Sequence, residues 1–266
     1  MIRLIVSDID STLIDHAGYL PPDNVVALAE ATALGVRVAL ATIRKRDSAQ
    51  HIAERLGVPC ALICNGGASI YSPEGAELAA RLIPLELARA LAALADAHEL
   101  PMLATVDEQN LYRPGSHPAA HIVAPGQDVA ALLAAIASPP SRFLVRGEPG
   151  ASLVMRAFAD APLRFVRHYR PDGALTDVTI THAEATKERA LALLCQAWSI
   201  APAELLALGD AEADIGMLQL AGVGVAVGNA QPEVQAIADW VAPSAAEGGL
   251  AAAVRRFVLD LANEHP

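Results

Sequence analysis

Seven residues in four separated stretches carry side chains able to work on a phosphate or hold a hard cation. They are Asp8 and Asp10 in "SDIDSTL", Thr42 and Arg44 in "ALATIRKR", Lys187 in "ATKERAL", and Asp210 and Asp214 in "GDAEADIGML". Carboxylate oxygens suit Mg²⁺, which takes one or two of them with waters and phosphate oxygens. A carboxylate can also attack phosphorus to give an aspartyl-phosphate. A second carboxylate two residues on points the same way along a strand and can serve as general acid and base. The Thr42 hydroxyl and the Lys187 ammonium would then hold equatorial phosphoryl oxygens as charge builds. Taken singly, each has a plainer reading: Asp-x-Asp as a turn, Thr42 as a helix cap, Gly-Asp as a turn, Lys187 as a solvated helix residue. Of the 19 basic side chains only Lys45 and Lys187 are lysines, and a compact ammonium differs from the planar guanidinium used elsewhere. The weight lies in all four stretches falling, in order, at strand or helix ends.

The elements that must position them alternate. "RLIVSD" predicts a strand, "PPDNVVALAEATALG" a helix closed by Gly35, and "VRVALAT" a second strand. "DSAQHIAERLG" predicts a helix capped by Asp47 or Ser48, and "PCALICNGG" a third strand. The rhythm resumes with "KERALALLCQAW" (helix), "LLALGD" (strand), "ADIGMLQLAG" (helix), "VGVAVG" (strand), "PEVQAIAD" (helix) and a final helix "GGLAAAVRRFVLDLAN". Strands apolar on both faces and separated by helices predict an α/β fold, a Rossmann-like doubly wound parallel sheet, with ligands outside the carboxyl ends of the strands. The middle reads differently. Helices are expected at "PLELARALAALADAHEL" and "DVAALLAAIA", and strand-like runs at "PMLATV", "NLYRP", "SRFLVR", "LRFVRHYR" and "ALTDVTITH". This pattern predicts an inserted α+β domain over 82–182 between core segments 1–81 and 183–266.

Composition narrows the function classes. The 266 residues are 53% hydrophobic and 18% charged, which fits a folded chain with a sizeable core. A net charge of −11 argues against non-specific binding to nucleic acid or anionic membranes. It leaves room for a small anionic substrate in a locally basic pocket. No charge-free apolar run of about 18 residues suggests a membrane span, and the first apolar segment is too short for a signal peptide, so a cytoplasmic location is expected. Cys60, Cys64 and Cys195 form no CxxC pair and are expected to be reduced, buried thiols.

Together "SDIDSTL", "LATIR", "ATKERAL" and "GDAEADIGML" resemble the four motifs of the haloacid dehalogenase-like hydrolases. The resemblance is closest to the Cof-type phosphatases, which carry a large cap domain after the third core strand. "NGGASIYSPEGAEL", "AGVGVAVGNAQPEVQAIADWV" and "EGGLAAAV" extend it, so that it covers about residues 1–78 and 183–255. It implies a Mg²⁺-dependent phosphatase acting on a small phosphorylated metabolite, such as a sugar phosphate, through an aspartyl-phosphate, with the cap closing over the leaving group. By motif matching, Asp8 is the nucleophile and a metal ligand. Asp10 is the general acid/base and binds the metal through its carbonyl. Asp210 is the third protein ligand, and Asp214 supports the metal site or orients Lys187. Thr42 and Lys187 grip the phosphoryl group, and Arg44 is a further substrate contact. Ser11 and Thr12 let the chain turn away and offer amides to the phosphate. Three positions depart from the family pattern: Ser11 and Ile43 each stand where Gly is usual, and Ala213 where Asn is usual.

Rival readings are a phosphomutase on the same core, a phosphonate or carbon–halogen hydrolase, and a non-catalytic binder of a phosphorylated ligand. An acid/base at Asp10 argues against the halide reaction, which has no alkoxide to protonate. His117 and His121 have HxxxH spacing, but Pro118 disfavours a regular helix there. "GVGVAVG" follows a helix instead of opening one, which disfavours a dinucleotide site. The basic run Arg164, Arg167, His168 and Arg170 reads as a solvated strand face or a substrate-facing wall.

Overall fold

The computed structural model describes residues 1–116, 126–170 and 173–260; His117 and His121 lie outside them. The chain divides into two compact units, Met1–Ala79 with Thr186–Pro266, and Ala80–Ala185.

The first unit opens with β1 (Leu4–Ser7), α1 (Pro22–Ala33), β2 (Arg37–Ala41), α2 (Arg46–Leu56), β3 (Cys60–Cys64), β4 (Ser69–Tyr71) and β5 (Glu77–Ala80). The inserted unit follows with α3 (Leu85–Ala97), β6 (Met102–Val106), β7 (Gln109–Tyr112), β8 (Gly126–Asp128), α4 (Leu132–Ala135), β9 (Arg142–Arg146), α5 (Gly150–Ala157), β10 (Leu163–Tyr169) and β11 (Leu175–His182). The first unit then resumes with α6 (Lys187–Trp198), β12 (Leu205–Gly209), α7 (Ile215–Leu220), β13 (Val223–Ala226), α8 (Pro232–Ile237), β14 (Trp240–Val241) and α9 (Gly249–Val254).

The sheet of the first unit runs β14-β13-β12-β1-β2-β3-β4-β5 and is parallel from β14 to β3. Period-two alternation explains why both faces are apolar. Ile5, Val38, Leu40, Leu206 and Leu208 pack against α1, α2 and α9, while Leu4, Val6, Ala39, Ile63 and Ala207 pack against α6, α7 and α8. From β1 the chain winds outward through β2 and β3, and later through β12, β13 and β14 in the other direction. The crevice between the carboxyl ends of β1 and β12 is therefore the topological switch point, where open α/β sheets bind ligands.

The inserted unit is α+β. Its sheet runs β10-β11-β9-β6-β7-β8, antiparallel except for β7 with β8. Phe143, Val145, Val178, Ile180 and Met102 meet Leu91, Ala95 and Val154 of the helices on one face.

Three local expectations are corrected. The helix expected over 128–137 is cut to Leu132–Ala135, because Val129 donates its amide to the Tyr112 carbonyl (2.9 Å) and extends the pairing begun by β8. The Asp96 carboxylate then accepts the Leu132 and Leu133 amides at 3.0 and 2.9 Å and starts the helix there. Lys45, not Asp47 or Ser48, precedes α2; Asp47 lies in its first turn and accepts from Lys45 Nζ at 2.9 Å. Strand alternation also separates the basic run of β10: Arg164 and His168 share one face, Arg167 takes the other, and Arg170 lies past the strand.

Candidate active site

The register that pairs Ser7 with Leu208 of β12 and Leu40 of β2 brings three strand ends to one edge. Asp8 leaves β1 with its amide on the Leu208 carbonyl (3.0 Å), Thr42 leaves β2, and Asp210 leaves β12. Lys187 opens α6, whose first turn is capped by the Thr186 hydroxyl accepting from the Arg189 amide at 3.4 Å. Four far-separated stretches thus meet at the switch point.

Lys187 Nζ donates to Asp8 Oδ1 and to Asp214 Oδ1, both at 2.6 Å, with all three residues buried. The other Asp214 oxygen accepts the amides of Asp210 and Ala211, each at 3.1 Å. Asp214 is therefore committed to the ammonium and to the turn that carries Asp210, which suits an orienting part better than direct ligation. Thr12 donates its hydroxyl to Asp210 Oδ1 at 3.1 Å, a contact absent from the sequence reading.

Too little positive charge is built into this cluster. Burial pushes Asp8 well above the usual carboxylate range, with Asp214 and Asp210 adding repulsion, although Lys187 pulls the other way. Burial and the Asp214 charge raise Asp210 to about 6, against the Thr12 hydrogen bond and Lys187. Burial alone would lower Lys187; the carboxylates of Asp214 and Asp8 outweigh it and hold the ammonium above its ordinary pKa. Oxygens of Asp8, Asp210 and Asp214 all lie within 4.8 Å of one another. Three acids against one ammonium, with oxygen donors only, is a set that a hard divalent cation fits. The Asp10 carboxylate is not in this set.

Asp10 instead meets Arg44. The guanidinium donates from Nε to Asp10 Oδ2 at 2.9 Å and from Nη2 to Asp10 Oδ1 at 2.6 Å. Thr42 is buried beside them, its hydroxyl accepting the Arg44 amide at 3.1 Å. Ser11 has a positive φ of 61°, which accounts for glycine being the easier residue at that place. Ile43 is not among the positive-φ residues, so a branched side chain is accommodated there without backbone strain.

Two supporting loops were missed in the sequence. Asn229 donates to the Ser11 carbonyl at 2.7 Å and accepts the Ala245 amide at 2.8 Å, bracing the turn after Asp10. Gln231 gives its amide to the Asp210 carbonyl (2.9 Å), and its side chain accepts from the Glu212 amide at 3.1 Å. The available signal was "VGNAQ", polar residues at the end of a core strand. The second loop is Asn65–Gly67 after β3, where three consecutive residues have positive φ. The Asn65 amide donates to the Arg44 carbonyl (2.8 Å) and the Gly66 amide to the Thr42 carbonyl (2.9 Å), while Gly67 lies against the Thr186 backbone.

A family model for the haloacid dehalogenase-like hydrolases matches residues 5–127 and 169–254. The chain is 25% identical over 259 residues to the 5-amino-6-(5-phospho-D-ribitylamino)uracil phosphatase YcsE of Bacillus subtilis, covering 97% of this chain and 96% of that protein. It is 24% identical over 273 residues to the chloroplastic endoribonuclease YBEY of Arabidopsis thaliana, covering 95% of this chain but only 46% of that protein. A solved haloacid dehalogenase-like hydrolase from Bacteroides thetaiotaomicron superposes with a TM-score of 0.82 at 22% identity, over 96% of this chain and 99% of that one. With its match spread across both segments of the core and its acids gathered at the switch point, the chain belongs to the haloacid dehalogenase-like hydrolase family.

Proposed function

We propose that the protein is a Mg²⁺-dependent phosphatase that hydrolyses a small phosphorylated metabolite through an aspartyl-phosphate. The observation that carries this reading is the buried Lys187 ammonium shared between Asp8 and Asp214, with Asp210 alongside. A nucleophilic carboxylate set beside a fixed cation is what attack on a phosphate dianion requires. The B. subtilis relative, named as a phosphatase of a phosphorylated ribitylaminouracil, supports a small phosphomonoester as the substrate class. Among the described residues no helix is long and apolar enough to cross a membrane.

In this mechanism Asp8 Oδ forms the bond to phosphorus as the ester oxygen leaves, and Asp10 gives that oxygen its proton. Asp10 then takes a proton from the water that attacks the phosphorus, releasing Asp8 and inorganic phosphate. Lys187 and Thr42 hold phosphoryl oxygens, and Asp214 keeps Lys187 aimed. Mg²⁺, held by Asp8, Asp210 and the Asp10 carbonyl with Asp214 behind, would neutralise charge on the phosphate. Of the rival readings, the mutase shares these residues but returns the phosphoryl group to substrate.

The test is release of inorganic phosphate from a panel of phosphorylated metabolites with Mg²⁺, for the parent and Asp8→Asn. Phosphate release by the parent, lost in a folded Asp8→Asn, is the expected result. A parent that binds phosphorylated ligands without turning them over would overturn the catalytic reading in favour of a binder.

A further inference from the structure

We infer that Arg44 is a positioning residue for Asp10, and that it is not a contact to the phosphoryl group; this rests on the phosphatase reading above. The fork is bidentate, with Nε and Nη2 on the two Asp10 oxygens at 2.9 and 2.6 Å. Such a pair fixes direction as well as distance, which a point charge does not. Asp10 needs fixing. Its side chain is 49% exposed, and a carboxylate left to rotate in solvent aims at a leaving group only part of the time.

Arg44 is built to supply that direction. Its amide is held by the Thr42 hydroxyl at 3.1 Å and its carbonyl by the Asn65 amide at 2.8 Å, so the base of the side chain is tied on both sides.

The proton bookkeeping agrees. As the bond from phosphorus to the ester oxygen breaks and the bond from Asp8 forms, the ester oxygen takes the proton from Asp10. Before the transfer the carbonyl oxygen of the protonated Asp10 accepts from one arm of the guanidinium, and the carboxylate left behind accepts from both. It next takes a proton from the attacking water as the Asp8–phosphorus bond breaks. Arg44 thus holds Asp10 through both halves of the cycle without touching phosphorus.

The test is a double-mutant cycle: the parent, Arg44→Met, Asp10→Asn and the double variant, assayed with Mg²⁺ on 2-glycerophosphate and p-nitrophenyl phosphate. The first ester has a poor leaving group that needs a proton; the second has a good one that does not. Arg44→Met is expected to lower kcat/KM on 2-glycerophosphate by about 10–100-fold, and on p-nitrophenyl phosphate by less than about 3-fold. Inhibition by inorganic phosphate should stay at the parental level, and the substitution should cost nothing further in the Asp10→Asn background. Arg44→Lys, which keeps charge and loses the fork, should show the same selectivity in smaller degree, and it serves if the Met variant folds poorly.

Equal losses on both esters that persist beside Asp10→Asn, with weakened phosphate inhibition, would make Arg44 a phosphate contact and overturn the inference. No change on either ester would overturn it as well. A parent inactive on every phosphoester would remove the phosphatase reading itself, an outcome distinct from both.

Discussion

Gly67→Ala is expected to disable the site from a residue with no chemistry of its own. A Cβ there would lie 2.3 Å from the Thr186 carbonyl oxygen and 2.4 Å from its carbon, where ordinary contact begins near 3.4 Å. That carbonyl accepts the Ala190 amide at 3.0 Å, the first hydrogen bond of α6, and the next residue is Lys187. Relief of the clash therefore moves the start of the helix that delivers the ammonium by about 1 Å, a misplacement able to cost roughly 100-fold in rate. The matched control is Gly66→Ala. Gly66 also has positive φ, 70° against 104° for Gly67, but a Cβ on it meets nothing within 4 Å. Both variants bear the backbone cost of an L residue at positive φ, about 1–2 kcal/mol each, or roughly 2–8 °C in melting temperature for a chain of this size. Only Gly67→Ala carries the clash. Thermal melts and kcat on p-nitrophenyl phosphate with Mg²⁺ decide it: a modest melting loss with near-parental kcat in Gly66→Ala, and a larger melting loss with a rate collapse in Gly67→Ala below its melting range, is the expected pattern. Equal kcat in the two variants would refute the reasoning.

Two further outcomes follow from the charge balance. Lys187→Met leaves Asp8 and Asp214 buried without their cation, a loss of order 3–5 kcal/mol; burial raises the Asp8 carboxyl and loss of the ammonium raises it further, so protonation relieves part of the cost, and melting should fall less at pH 5 than at pH 8, an equal fall at both contradicting this. Asp210 titrates at about 6 in the fold against roughly 4 when unfolded, so the folded, metal-free protein holds the extra proton and loses stability as pH rises through that window. Asp210→Asn should flatten the slope between pH 4 and pH 6 measured by denaturant melts in chelator, and an unchanged slope would show the group uninvolved.

Much of the architecture was legible locally. Apolar runs of strand length ending in Asp8, Thr42 and Asp210 are set by side-chain alternation and by the polar residues that stop each run. The core helices were legible for the same reason, since α2 and α6 each show a face of buried residues at helical spacing. The inserted unit was less so. Helix α5 in "GASLVMRA" was not expected, and α4 is short because β7 and Asp96, distant in sequence, claim its neighbours.

The amino-acid sequence by itself determined which chemical groups stand at which strand ends, because a residue's place at the end of a short apolar run depends only on its neighbours. Tertiary structure alone decided what those groups touch. Arg44 turns to Asp10 across 34 positions, Thr12 to Asp210 across 198, and Asn229 to Ser11 across 218. Such contacts come from the register of β1 against β2 and β12, a cooperative choice of the whole sheet that no local pattern encodes.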